Sequence, residues 1–325
     1  MVGLIAPWAL VFCIIISTAC LLFRKFRWSI FFVVITIFAN IAFEVFLILH
    51  RFGHSGDKTN LAVMAFNING CGDGDIVSVK KVADMIINSD ADVVFLSEDF
   101  VQCVDVLDSL LLPVYGFSDY EHKDYWHHTY SKYSLHDIRR IRIKSTPYSF
   151  LFHSSITVDN DTVHIYGCHL ASNNYNEHNK YTRPEGINNM NSLLGYIDNI
   201  SRATEQRVEE VDSILADFKH CSGSCIIMGD FNDVSGSKPI RMLERNGFYD
   251  AWWKGGLGYG ATIHKPLPYR IDHIMYNEGL RLQSVKCVSS NELSDHDALV
   301  ATFSLQGLLI YSRHYINSPL KISQA

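Results

Sequence analysis

A short apolar run that stops on a glycine and polar side chains is the feature that most constrains this chain. Residues 225–228 are Cys-Ile-Ile-Met, and Gly229, Asp230, Phe231 and Asn232 follow directly. A continuous apolar run predicts a strand buried on both faces, and the glycine with Asp and Asn predicts a tight exit at its end. Because Gly-Asp-x-Asn is short and favours turns, this stretch alone leaves open an ordinary strand that ends in a polar turn.

Five other strand-like segments also end in, or follow, polar side chains. They cover residues 61–66, 92–97, 162–168, 268–276 and 298–303, and the polar residues beside them are Asn67, Glu98, His169, Asp272, Asp295 and His296. Helical spacing of apolar residues predicts helices at 76–88 and 238–246, and either one long helix or two helices broken near Ser201 at 187–219. Residues 115–136 are dense in Tyr, His and Asp without a clear period, which predicts a loop-rich insertion.

The repeated polar residues at strand ends indicate a divalent-cation site. Mg2+ prefers one or two carboxylates, and substrate phosphates complete its coordination shell. A single Asp or Glu in a loop is ordinarily just solvated. Solvation in a loop does not explain why such polar residues recur at the ends of buried strands.

The first fifty residues have a different character. Residues 4–23 and 30–49 are two nearly uncharged apolar stretches, each about the 20 residues that a bilayer-spanning helix needs. They predict a transmembrane helical hairpin, although a soluble helical hairpin is an alternative. A signal peptide fits poorly, because the basic residues follow the first apolar run. Glu44 is expected near the bilayer interface or facing the first helix.

The predicted organisation is therefore a hairpin at 1–50, a linker at 51–60, a catalytic-type domain at 61–304 and a tail at 305–325. The chain has 28 Lys and Arg against 34 Asp and Glu; removing the hairpin's three basic residues and one acid leaves 25 against 33. Such a domain should repel polyanions over most of its surface. Basic residues Arg24, Lys25 and Arg27 between the spans predict a cytoplasmic loop, which would place the domain outside the cytoplasm of a bacterial cell.

Six motifs in order carry a resemblance to a known family. They are Phe66-Asn67-Ile68-Asn69, Leu96-Ser97-Glu98, Gly167-Cys168-His169-Leu170, Gly229-Asp230-Phe231-Asn232, Arg270-Ile271-Asp272-His273 and Ser294-Asp295-His296. This set is similar to the endonuclease/exonuclease/phosphatase superfamily, which includes pancreatic deoxyribonuclease, inositol-polyphosphate phosphatases and neutral sphingomyelinases. The likeness covers about residues 61–304, and the membrane-tethered bacterial members resemble it most in their apolar start.

The resemblance implies an α/β fold, a two-sheet deoxyribonuclease-I-like sandwich, with the site at one edge. It implies that Glu98 is the principal metal ligand, with Asn67 and Asp295 also at the metal site. Asp230 would orient or deprotonate the attacking water, and Asn232 would bind and polarise the phosphate. Asp272 would hold the tautomer of His296, which contacts the phosphoryl oxygen, and His169 would make a second phosphate contact. Mg2+ is the implied cofactor, with Mn2+ as an alternative.

Some residues depart from the family pattern or leave alternatives open. Ser97 stands where the family usually has Gln, which puts the hydrogen bonding of Glu98 in question, and Asp99 should point away from Glu98 on a strand. Arg140 and Arg142 would share one face of a basic strand, either as a phosphate clamp or as a solvated edge. Cys221 and Cys225 could form a disulfide, and no repeated Cys-x2-Cys pattern indicates zinc.

The sequence thus predicts a membrane-anchored, Mg2+-dependent phosphoester hydrolase, a phosphodiesterase or phosphatase. Its partners would be a lipid bilayer, through residues 4–49, and a phosphoester such as a phospholipid head group, a small phosphoester or nucleic acid. No protein partner is predicted. An endonuclease or exonuclease acting on DNA or RNA is an alternative, and a non-catalytic membrane interaction module is a third hypothesis. Fold cannot separate the first two.

Overall fold

The computed structural model describes residues 2–43, 60–72, 74–119, 127–143, 150–173, 190–264 and 267–306. The helices are α1 (Val2–Leu22), α2 (Phe26–Phe43), α3 (Ile76–Asn88), α4 (Val101–Tyr115), α5 (Met190–Phe218), α6 (Lys238–Arg245) and α7 (Ala251–Gly255). The strands are β1 (Asn60–Asn67), β2 (Val93–Ser97), β3 (Phe117–Ser118), β4 (His127–Ser131), β5 (His136–Arg140), β6 (Phe150–Val158), β7 (Asp161–His169), β8 (Ser224–Asp230), β9 (Phe248–Asp250), β10 (Asp272–Asn277), β11 (Leu280–Val288) and β12 (Ala298–Leu305).

Two six-stranded sheets form the body of the molecule. One has the strand order β11-β12-β1-β2-β4-β3 and the other β5-β6-β7-β8-β10-β9. Both are mixed sheets, because β1 pairs with β2 and β7 with β8 in parallel while their other neighbours are antiparallel. Their inner faces share one apolar core that includes Val63, Phe95, Ile165, Met228 and Leu299. The predicted two-sheet α/β sandwich is confirmed in this architecture.

Helices cover the outer faces of both sheets. On β1, Leu61 and Val63 belong to the core between the sheets, whereas Met64 and Phe66 pack into the cluster formed with α3 and α4. On the second sheet, outward residues such as Ile227 pack with residues of α5 and α6. A strand buried on both faces gains from apolar residues at every position, which is why β1, β2 and β8 read as continuous apolar runs.

The topology brings several strand ends to one edge of the sandwich. The parallel strands β1 and β2 end together at Asn67 and Ser97, and β7 and β8 end together at His169 and Asp230. Strand β10 runs antiparallel to β8 and begins at Asp272, directly opposite Asp230. The polar residues predicted at strand ends are thus gathered at the same edge.

Residues 115–119 and 127–136 are more regular than the sequence predicts. Strands β3 and β4 lie there and β5 begins at residue 136, so the prediction of a loop-rich insertion is wrong for these residues, and residues 120–126 lie outside the described part of the chain. All five residues of β4 are buried although four of them are His, Thr or Ser. Their polar groups are accommodated by hydrogen bonds, such as that from Thr129 N to Asp119 Oδ1 at 2.6 Å. A buried polar strand carries no apolar period for the sequence to reveal.

Helices α1 and α2 form the predicted helical pair, with a hydrogen bond from Ser17 Oγ to Ser29 O at 3.1 Å. Within the residues that the structure describes, no helix combines the length and apolar character needed to traverse a bilayer. The predicted transmembrane hairpin is therefore unsupported. Glu44, residues 51–59 of the predicted linker and residues 307–325 of the predicted tail lie outside the described residues.

Candidate active site

Asn67 joins the two halves of the site. It is the last residue of β1, and its side-chain nitrogen Nδ2 lies 3.0 Å from Glu98 Oε1 and 3.0 Å from Asp230 Oδ2. Its own side-chain oxygen accepts a hydrogen bond from Asn69 N at 3.1 Å, which fixes the orientation of the amide. One amide thus holds a carboxylate from each sheet in the same small volume.

Glu98 and Asp230 are aimed by unusual backbone. Glu98 follows β2 with a φ of +58°, a left-handed backbone conformation that residues other than glycine rarely adopt. Its carbonyl accepts from Gly70 N at 2.7 Å, which anchors the turn. Before Asp230, Gly229 has a φ of +138°, and a Cβ there would lie 2.0 Å from the carbonyl oxygen of Cys168. Glycine is therefore required at the exit of β8.

Asn232 lies beside Asp230 rather than pointing freely into the site. Asp230 Oδ1 accepts from Asn232 N at 2.8 Å, and Asn232 Nδ2 donates to Leu170 O at 2.9 Å. Asn232 also has a left-handed φ of +50°. These bonds fix the loop after β8, so the second oxygen of Asp230 faces the remaining site residues.

Asp272 and His296 form a buried pair. His296 Nδ1 lies 2.8 Å from Asp272 Oδ2, and its Nε2 lies 3.8 Å from Asp230 Oδ2. Burial alone would lower the pKa of His296, but the charges of Asp272 and Asp230 outweigh it and raise the pKa to about 10. His296 is therefore a cation at neutral pH, and its Nε2–H is directed towards the site. Ser294 supports the loop by donating from Oγ to Asn67 O at 2.7 Å.

His169 approaches the carboxylates from the other side. Its Nε2 lies 3.5 Å from Glu98 Oε1 and 3.7 Å from Asp230 Oδ2. Its Nδ1 lies 3.0 Å from Nε2 of His127, the first residue of β4. The His127 ring stacks between Phe95 and Phe152, at centroid distances of 6.2 and 5.8 Å.

His127 is a neutral group at neutral pH. Burial, with smaller contributions from His169, His128 and Arg140, places its pKa well below the usual value for histidine. Its contact with His169 was not predicted, because β4 falls in the stretch interpreted as a loop.

The donor set of this site fits a hard divalent cation. Donor atoms of Glu98, His169 and Asp230 lie within 4.8 Å of one another, as do those of Asp230, Asp272 and His296. Asp272 Oδ1 is also buried without a hydrogen-bond partner among the described residues. Three carboxylates with an unused buried oxygen match the oxygen ligands that Mg2+ and Mn2+ prefer. Glu98 and Asp230, with Asn67 beside them, are the residues that would hold the ion.

The remaining predicted residues lie at the periphery of this group. Asp295 is exposed and does not belong to either donor set. Arg140 is half-buried at the end of the edge strand β5, near enough for its charge to act on His127. Arg142 is exposed. Asp99 is buried on the other side of the chain from Glu98 and contacts His128.

A layer of buried charge behind Asp230 was also missed by the sequence analysis. Asp250 Oδ2 accepts from Arg270 Nη1 at 2.8 Å and lies 2.9 Å from His273 Nδ1. Arg207 Nε lies 3.0 Å from Asp233 Oδ2. Arg270 and His273 are part of the recognised motif around Asp272, but their shared partner Asp250, at the end of β9, could be found only by folding the chain.

Two packed sheets with carboxylates and histidines gathered at one edge are the fold of the deoxyribonuclease-I-like class of proteins. The profile of the Endonuclease/Exonuclease/phosphatase family matches residues 64–296, and the chain belongs to this family. That family is hydrolytic. The predicted resemblance to the superfamily is thereby confirmed, whereas the membrane-tethered bacterial type stays a prediction. No curated protein sequence matches the chain.

Solved structures share this fold. An endonuclease/exonuclease/phosphatase from Bacteroides vulgatus is 17% identical, with a TM-score of 0.57 over 77% of this chain and 100% of its own. Truncated Caenorhabditis elegans TDP2 is 20% identical, with a TM-score of 0.54 over 75% and 97%. D. rerio TDP2, solved with a single-strand DNA product, is 16% identical, with a TM-score of 0.52 over 76% and 100%.

Proposed function

We propose that this chain is a Mg2+-dependent hydrolase of a small phosphoester or a phospholipid head group, with Mn2+ as a substitute ion. The observation that carries the proposal is the position of Asp230. One of its oxygens lies within 4 Å of Asn67 Nδ2, His169 Nε2 and His296 Nε2, at 3.0, 3.7 and 3.8 Å. A base for the attacking water beside donors that can turn to the phosphoryl oxygens suits phosphoester hydrolysis.

Each group has a definite task in this mechanism. Asp230 accepts the proton of the attacking water, and the amide of Asn67 keeps its carboxylate turned towards that water. Protonated His296 donates from Nε2 to a phosphoryl oxygen, and Asp272 holds the ring in that orientation through Nδ1. His169 contributes a second ring nitrogen, Nε2, beside the phosphoryl oxygens. Bound Mg2+ would supply neutralisation of the phosphate charge.

A nuclease is the alternative within the same family. Two observations favour it: a fold neighbour was solved with a single-strand DNA product, and Arg140 lies near His127 at the end of the basic edge strand. The excess of 33 acids over 25 bases outside the first fifty residues favours the small phosphoester instead.

A substrate panel distinguishes the two. The purified full-length chain is assayed on nucleic acids, phospholipids and inositol phosphates, with Mg2+ and with EDTA, beside an Asp230→Asn control. Hydrolysis of a small phosphoester with little dependence on salt is the expected result. Duplex binding that weakens with a log-log salt slope of about 0.9 per phosphate contact would identify a nuclease. Activity that is equal in the Asp230→Asn variant would reject the site itself.

Attachment to a bilayer forms a further part of the proposal. It is supported by the nearly uncharged sequence of residues 4–23 and 30–49 and by the apolar surface of the α1-α2 pair. Leu22, Phe23 and Phe38 are 78%, 77% and 74% exposed. Side chains of this kind are stable in hydrocarbon and unfavourable in water. Retention of the chain in the membrane fraction after alkaline carbonate washing is expected, and release into the wash would contradict attachment.

The orientation follows from the basic loop at Arg24, Lys25 and Arg27, which would remain cytoplasmic. The catalytic domain would then face the outside of a bacterial cytoplasmic membrane. Alkaline phosphatase fused after Gly56 should be active, and green fluorescent protein at the same position should be dark. The reverse pattern would place the domain in the cytoplasm.

A further inference from the structure

A second cluster of metal-binding side chains lies on the outer face of the second sheet. His153 on β6, His164 on β7 and Cys221 just after α5 each present one donor atom, and all three atoms lie within 4.8 Å of one another. His164 precedes His169 by five residues on the same strand, which separates this cluster from the active site by about 17 Å. It shares no residue with the catalytic group.

The hydrogen bonds of the two rings determine which nitrogens carry protons. His153 Nδ1 lies 3.1 Å from the carbonyl oxygen of Asp137, and His164 Nε2 lies 3.3 Å from the carbonyl oxygen of Ser222. A carbonyl only accepts, so both of these outer nitrogens must donate. The inner nitrogens, His153 Nε2 and His164 Nδ1, are then both unprotonated, although they face each other at 3.0 Å.

Two lone pairs at that distance repel unless a cation lies between or beside them. A shared proton is one such cation. A metal ion is the other. Metal-bound histidines ordinarily donate their second N–H to a carbonyl or carboxylate, which is the pattern that Asp137 and Ser222 provide here.

Cys221 completes the donor set. Its thiol is half-buried, with Arg139 Nη2 at 4.0 Å and the Tyr166 hydroxyl at 3.6 Å from Sγ. Cysteine binds a metal as the thiolate, so binding of an ion here would release the thiol proton. Asp217 holds both neighbours in place, at 2.7 Å from Arg139 Nη2 and 2.8 Å from the Tyr166 hydroxyl. The partial exposure of Cys221 gives an ion access from solvent.

We propose that His153 Nε2, His164 Nδ1 and Cys221 Sγ bind a zinc ion. Two imidazoles and a thiolate are ligands typical of zinc, and the active site, rich in carboxylates, prefers harder ions. Nitrogens bound to tetrahedral zinc lie about 3.3 Å apart, so the rings need to separate only slightly. Water would fill the fourth position. The ion would tie β6 and its neighbour β7 to Cys221, just after α5.

Cobalt substitution provides a direct test on the purified full-length chain. Co2+ bound by a thiolate gives a charge-transfer absorption band, whereas Co2+ on carboxylates does not. The band should appear in the wild type and in Glu98→Gln, which disables the other metal site. It should be absent in Cys221→Ser and His164→Gln and present in His220→Gln, a control at an exposed neighbouring histidine.

Zinc binding gives the second measurement. Equilibrium dialysis with Zn2+ alone should show one site that is retained in Glu98→Gln. Its zinc affinity should fall by more than about 100-fold in Cys221→Ser, because replacing even a residue that only supports a metal ligand lowers metal affinity by about 10- to 100-fold. Zn2+ should also protect Cys221 from alkylation, and this measurement needs only the wild-type protein. Zinc affinity unaffected by Cys221→Ser, or alkylation of Cys221 unaffected by Zn2+, would overturn the proposal.

Discussion

His127 Nε2 lies 3.0 Å from Nδ1 of His169, so the histidine at the site is held by a second, buried histidine. The low pKa of His127 keeps its ring neutral, with one nitrogen donating and the other accepting. If His127 donates, His169 carries its own proton on Nε2, which faces Glu98 and Asp230. The pair thus fixes which form His169 presents to a phosphate or a metal.

Replacing His127 should therefore reduce turnover without touching the substrate directly. We expect His127→Leu to lower kcat by about 10- to 100-fold, as the loss of supporting contacts at such sites does, with a smaller effect on KM. His127→Gln keeps a hydrogen-bonding group and should retain more activity than His127→Leu. Steady-state kinetics on the best substrate of the panel measure both.

Thermal unfolding is the control for this comparison. Both variants remove the stacking of the ring on Phe95 and Phe152, so both should lose some stability. Equal activity of the two variants would show that the ring acts by packing alone and that its contact with His169 has no positioning role.

The second prediction concerns the groups that contact the reacting atoms. Asp230→Asn and His296→Ala should each lower turnover by about 100-fold or more. The first removes the base that accepts the proton of the attacking water, and the second removes the cation that donates to a phosphoryl oxygen. Asp272→Asn should lower it as well, since an amide can hold His296 in the wrong tautomer. Circular dichroism should show an intact fold. Near wild-type turnover in Asp230→Asn would place the general base elsewhere.

The third prediction concerns metal binding. Saturating Mg2+ at 100 times its Kd should stabilise the wild type by about 2.7 kcal/mol, because it binds only the folded chain. Glu98→Gln should raise the Mg2+ concentration needed for half-maximal activity and reduce this stabilisation, and EDTA should abolish activity. Asp295→Asn is the informative comparison, since Asp295 is exposed beside the site. An equal effect of Glu98→Gln and Asp295→Asn would show that Asp295 contributes as much to metal binding as Glu98 does.

Local sequence predicted the core strands and the polar ends of the strands well. β8 and β2 are buried at every position by helices and the opposite sheet, and the apolar runs that this requires are visible in a single sequence. Helix α3 was predicted with its bounds, Ile76–Asn88, because an amphipathic helix shows its period directly.

Polar contacts between distant elements were not predicted. His127 lies in a strand with no apolar period, and it meets His169, 42 residues away, only after the two sheets pack. The ligand cluster at His153, His164 and Cys221 was missed for the same reason, since zinc was sought in Cys-x2-Cys spacing. Cys221 and Cys225 are both free thiols in the structure, which does not contain the disulfide that the sequence left open.

The fourth prediction tests the buried charge behind the site. Asp250→Asn should destabilise the fold by about 3 to 5 kcal/mol, because it leaves the buried charge of Arg270 without its partner. Urea unfolding followed by tryptophan fluorescence measures the change. Asp75→Asn is a matched control: Asp75 is an exposed cap of α3, and Asn caps a helix nearly as well. Equal effects of the two substitutions would mean that the buried ion pair contributes nothing.

The last prediction concerns the dependence of stability on pH. Glu210 on α5 is buried, and burial raises the pKa of its carboxyl to about 8, although its Oε2 accepts from Ala171 N at 2.9 Å and Arg207 is near. In the unfolded chain the pKa of the Glu210 carboxyl returns to about 4.3. Between those two values the folded state holds a proton that the unfolded state has lost. Stability contributed by this group is thus complete below about pH 4 and falls by at most about 1.4 kcal/mol per unit until pH 8.

Glu210→Gln should remove this decline, because glutamine is neutral at every pH and keeps an oxygen for Ala171 N. Urea unfolding at pH 5.5 and at pH 8 measures the difference, and the wild type should lose on the order of 3 kcal/mol more than the variant between them. Glu205→Gln on the exposed face of the same helix is the matched control and should follow the wild type. Parallel pH profiles for the wild type and Glu210→Gln would show that Glu210 is ionised in the folded protein. The charge of Arg207 would then stabilise the carboxylate by more than burial destabilises it.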